Sequence, residues 1–150
     1  MSYGDLVRLY FERSTALQWY WTIYVLVIGG VLAFSSLRQR GDTLRTALIC
    51  ILYVCFAYKN LGAIKDVTEQ RVAVIQLIKS ARPVNTDSVE AQRLRDSLEP
   101  TLVSPDYPGI RNFHVVTDIL TVLMLWTMEL RRKHIRELDE SRKLPAGSAA

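Results

Sequence analysis

Three long apolar blocks, at residues 17–37, 44–64 and 113–130, constrain this chain of 150 residues more than any other feature. The first, LQWYWTIYVLVIGGVLAFSSL, has no Asp, Glu, Lys, Arg or His in 21 positions. As a helix it rises about 31 Å, matching a bilayer hydrocarbon core of about 30 Å. Trp19, Tyr20 and Trp21 stand at its start, where amphipathic rings favour the headgroup boundary, and Arg38 and Arg40 meet its end. A cleaved signal peptide requires a basic leader, a shorter apolar core and small residues at a cleavage site. None of these is clear here, so the block reads as a retained anchor.

The second block is apolar through LICILYVCFAY and reaches Lys59 and Asn60 near its end, where a lysine can snorkel to the interface. The third holds nine Leu, Ile, Val or Phe residues and Asp118. Those nine favour insertion by roughly 3 to 5 kcal/mol, while a mid-membrane aspartate costs about 2.5 to 3.5 kcal/mol. The third span is therefore marginal alone and needs neighbouring helices to shelter its carboxylate. The expected fold is all-α: an integral membrane protein built as a three-helix transmembrane bundle.

Outside the spans, residues 1–16 form an interfacial segment, with a short amphipathic helix or a lead-in turn of span one as equal alternatives over 3–13. Residues 65–112 form an extramembrane loop with two helices. Val67, Val74, Ile75 and Ile78 recur at helical spacing, so span two continues as an amphipathic helix. A second helix is expected from Asp87, where Asp-Ser-Val-Glu has the form of a capping box, to just before Pro100. Pro105, Pro108 and Gly109 suggest an irregular return to span three. Residues 131–150 are a basic tail, helical to about Lys143 and disordered in the closing PAGSAA.

The formal charge of +4 does not point to nucleic acid, because the basic residues gather beside the apolar blocks, as topology signals do. Arg38, Arg40 and Arg45 lie between spans one and two, and span three runs into Arg131, Arg132, Lys133 and Arg136. The seven Lys and Arg residues of the long loop are spread thinly. The expected orientation is amino terminus outside and carboxyl terminus cytoplasmic, with a bacterial inner (plasma) membrane as the default setting. Arg131, Arg132 and Lys133 are also a candidate contact for anionic lipids.

Intramembrane ionisable groups are costly, so each calls for a partner. His114, Thr117, Asp118 and Thr121 form one stripe on span three. Span one carries Gln18, Thr22, Gly29, Ala33 and Ser36, in which Gly29 and Ala33 are a small-xxx-small pair suited to close helix packing. Gln18, Lys59, Asn60, His114 and Asp118 all fall toward the extracytoplasmic half and make a candidate polar cluster. In it Asp118 is held by Lys59, by His114, or by both. One reading is a proton- or ligand-responsive site, since a histidine beside a carboxylate titrates near neutrality. The other is an interhelical polar lock.

Cys50 and Cys55 sit on poorly aligned faces with no Cys/His cluster nearby, so they read as small hydrophobes rather than a disulfide or zinc site. No nucleophile with base partners, phosphate-binding glycine loop or metal-ligand spacing stands out. The chain is expected not to be an enzyme and to carry no cofactor or metal. Two functional classes remain: an interaction, scaffold or sensor subunit that binds another membrane protein or its own copies, and a homo-oligomeric pore or transporter with a holin-like layout.

Overall fold

The computed structural model describes residues 3–39, 41–80, 89–103 and 106–143. Regular structure among these residues is entirely helical: α1 is Tyr3–Leu37, α2 is Thr43–Ser80, α3 is Val89–Leu98, a 3₁₀ turn covers Glu99–Thr101, and α4 is Tyr107–Lys143. Three of the helices, α1, α2 and α4, are long and apolar enough to cross a membrane. Arg40, Asp87, Pro105 and the PAGSAA tail, each assigned something from sequence, lie outside the described residues.

Proline placement permits such long helices. The five prolines stand at 83, 100, 105, 108 and 145, so none interrupts α1 or α2. The stretch 3–16 is therefore continuous with the first apolar block, and 65–80 with the second.

Helix starts are set by two aspartates. Asp42 Oδ1 accepts the backbone N–H groups of Leu44 (3.1 Å) and Arg45 (3.2 Å), which marks it as the N-cap of α2. Asp106 does the same for α4, with Oδ2 accepting the Gly109 N–H at 3.2 Å. Pro108 and Gly109, breakers by composition, instead open α4. Proline is tolerated in a first turn, where its missing N–H has no intrahelical acceptor. Gly109 fits because a Cβ there would lie 2.6 Å from Asp106 Oδ2.

The chain packs as two compact units, residues 1–23 with 60–112 and residues 24–59 with 113–150. The first has an apolar interior. Leu6 and Tyr10 of α1 pack with Val74, Ile75 and Ile78 of α2 and with Leu102, while Leu17 meets Ile64 and Val67. Burying side chains such as Ile64 and Ile78 contributes about 1.5 to 3 kcal/mol each where water is the alternative. Arg71 seals this interior, donating to the Tyr10 hydroxyl at 2.8 Å with its guanidinium carbon 5.0 Å from the ring centroid. Nearby, a hydrogen bond to Glu99 holds the Arg95 guanidinium above its ordinary value.

The second unit is built the other way round. Its buried residues include Ser35, Thr46, His114, Thr121 and Glu129, while Leu26, Leu52, Leu120 and Leu123 are exposed. Along α4 the inward stripe runs His114, Asp118, Thr121, Leu125, Glu129 and Arg132, at the three- and four-residue spacing of one helix face. Leu125 is its one apolar member.

Candidate functional site

Asp118 is the centre of the second unit. Its Oδ1 accepts the Tyr53 hydroxyl at 2.6 Å and the Tyr24 hydroxyl at 2.8 Å, and its Oδ2 lies 2.8 Å from His114 Nδ1. The carboxylate thus joins α1 through Tyr24, α2 through Tyr53, and its own helix one turn back. With both hydroxyls donating to Oδ1, the contact between Oδ2 and His114 Nδ1 is bridged by one proton. The Tyr24 ring stacks on the His114 ring at 3.9 Å between centroids, and its hydroxyl also reaches the His114 carbonyl at 3.3 Å. Tyr24, Tyr53 and His114 are all buried.

Magnitudes show what this arrangement does. An aspartate at the centre of a helix that crosses a membrane would cost about 2.5 to 3.5 kcal/mol on insertion. Hydrogen bonds between membrane helices return about 0.6 kcal/mol on average and up to about 1.7 kcal/mol, so the partners of Asp118 offset much of that cost. The geometry is that of a clasp fastening three helices.

Of the five residues expected in the cluster, His114 and Asp118 touch. Lys59 is exposed, and among the described residues no ion pair joins it to Asp118. Gln18 and Asn60 belong to the first unit, where Gln18 is exposed and Asn60 buried. The clasp tyrosines were missed because phenols look like ordinary lipophilic residues. Their signal is faint: each is a hydroxyl flanked on both sides by aliphatic residues, Ile23 and Val25 for Tyr24 and Leu52 and Val54 for Tyr53.

A second polar cluster lies eleven residues further along α4, counting from Asp118 to Glu129. Glu129 is 0% exposed. Its Oε2 accepts the Thr46 hydroxyl at 3.0 Å and stands 3.8 Å from Arg132 Nη1. Arg38 donates to Thr46 Oγ1 at 3.1 Å and to the Asp42 carbonyl at 3.3 Å, and Arg132 donates to the Ser35 carbonyl. Among the described residues, Glu129 Oε1, Ser35 Oγ and Arg132 Nη1 are buried without a hydrogen-bond partner. Gly41 lets the α1–α2 link approach closely, since a Cβ there would sit 3.2 Å from Glu129 Oε1 and 3.6 Å from Arg132 Cβ. Arg38 and Arg132, assigned to topology or lipid contact from sequence, thus also hold the interior. Arg131 and Lys133 are exposed. Glu129 was legible in principle, because it continues the stripe of His114, Asp118 and Thr121.

Gly29 and Ala33 are exposed, and a Cβ on Gly29 would meet nothing within 4 Å. Cys50 and Cys55 are free thiols, the first buried and the second exposed. Comparison with protein-family models, curated proteins and solved structures returns no match.

Proposed function

We propose that this chain is a three-span membrane protein serving as an interaction, scaffold or sensor subunit of a membrane complex. The observation that carries the reading is the reversed polarity of the second unit. On α4 the carboxylates and hydroxyls of Asp118, Thr121 and Glu129 face its interior, while Val116, Ile119, Leu120 and Leu123 are exposed. Water would expel such a surface; lipid accepts it, and polar side chains then hold the helices together. The basic groups around Arg38 to Arg45 and Arg131 to Arg136 support a cytoplasmic placement for that end, with the amino terminus outside, in a plasma membrane such as a bacterial inner membrane.

The polar stripe of α4 also favours a second reading, a homo-oligomeric pore of holin-like layout. Satisfaction of Asp118 by donors of its own chain supports the scaffold, because a carboxylate engaged by three protein groups offers little to a passing ion. Expression under a voltage-sensitive dye separates the two. A scaffold leaves the membrane potential intact, whereas an abrupt collapse that needs no partner assigns the pore. Resistance to carbonate extraction tests the membrane reading itself.

A further inference from the structure

Between α1 and α2 the second unit carries an open, almost wholly apolar groove of about 350 Å³, lined by Gly30 and Phe34 on one side and by Ile49, Leu52, Tyr53 and Phe56 on the other. From Ile49 to Phe56 the groove follows two turns of α2, about 10 Å of helix. Its lining is hydrocarbon with almost no polar surface, which suits an acyl chain.

One end of this groove is basic. Arg38 lies one turn beyond Phe34, and Arg45 one turn before Ile49. Gly41 of the same link packs close to Arg132 and Lys133. Across positions 38–45 the sequence places Arg38, Arg40 and Arg45 against Asp42. Arg38 is committed to Thr46 and the Asp42 carbonyl. Arg45 is available: its side chain is 77% exposed, and its 2.9 Å pair with Asp42 is of the surface kind worth about 0 to 1 kcal/mol.

We propose that the α1–α2 groove is a site for one anionic phospholipid, with an acyl chain lying along Gly30 and Leu52 and the phosphate on Arg45. This assignment rests on the membrane reading above. It couples lipid to the clasp, because Tyr53 both lines the groove and donates to Asp118.

The test is native mass spectrometry of delipidated protein in detergent, titrated with phosphatidylglycerol or with phosphatidylcholine of the same chains. Wild-type protein retains one phosphatidylglycerol in preference to phosphatidylcholine. Arg45→Gln lowers that occupancy about fivefold, the value of one basic contact at a membrane surface, and Arg45→Lys restores it. Gly30→Leu, whose side chain enters the groove, abolishes retention, while Gly30→Ala, whose Cβ meets nothing within 4 Å, leaves the unfolding midpoint of the delipidated protein unchanged. Equal retention of the two lipids, or a Gly30→Leu protein that binds like wild type, overturns the site and leaves the membrane reading standing. A chain that stays monodisperse in detergent-free buffer overturns both.

Discussion

The Tyr53 hydroxyl donates to Asp118 across 2.6 Å, joining two helices through residues 65 positions apart in the chain. Tyr24 doubles the link from α1, at 2.8 Å on the same oxygen. Stability of the second unit should therefore depend on hydroxyls that look dispensable in the sequence.

Tyr53→Phe should cost about 0.6 to 1.7 kcal/mol, the worth of a hydrogen bond between membrane helices. Asp118→Leu should be worse than Asp118→Asn, because asparagine keeps an acceptor oxygen while leucine removes the one that the Tyr24 and Tyr53 hydroxyls share. Thermal unfolding in detergent gives the order, and a leucine variant as stable as wild type would remove the clasp from the account.

At the other cluster, Arg132→Met should destabilise by about 3 to 5 kcal/mol, since it removes the cation beside a fully buried carboxylate. Adding Glu129→Gln to that variant should recover part of the loss, because the uncompensated charge then disappears. A double-mutant cycle checks this; strict additivity would mean the two side chains do not act on each other.

Three glycines should respond differently to alanine. Gly29→Ala should be neutral or stabilising by up to about 1 kcal/mol, as its Cβ meets nothing and alanine is the better helix former. Gly41→Ala should destabilise, pressing on Glu129 Oε1 from 3.2 Å. Gly109→Ala should disturb the start of α4, where the Cβ would fall 2.6 Å from the Asp106 carboxylate. Hydrogen exchange at residues 109–112 reads the last of these directly. Faster exchange there with unchanged protection elsewhere is the expected result.

Residues 38–42 link α1 to α2, and five extended residues reach at most about 18 Å, short of a 30 Å hydrocarbon core. Single cysteines at positions 37 and 44, in a chain whose Cys50 and Cys55 are replaced by alanine, should be modified from the same membrane face by an impermeant maleimide. Labelling from opposite faces would end the three-span reading.

The three long helices were legible in the sequence because lipophilicity and chain continuity are local properties. Residues 17–37 lack every ionisable side chain, and prolines avoid α1 and α2, so no tertiary contact is needed to foresee helices there. The pairing of His114 with Asp118 was also within reach, since four residues on a helix bring two side chains to one face. Tertiary structure alone decided the rest. Whether Lys59 or the tyrosines satisfy Asp118 depends on how α1 and α2 are rotated toward α4, and in apolar spans the hydrophobic pattern cannot set that rotation, because every face is lipophilic. Helix rotation is set instead by the few polar groups that must find partners, Tyr24 and Tyr53 for Asp118 and Thr46 for Glu129, and those pairings join residues 65 to 94 positions apart in the chain.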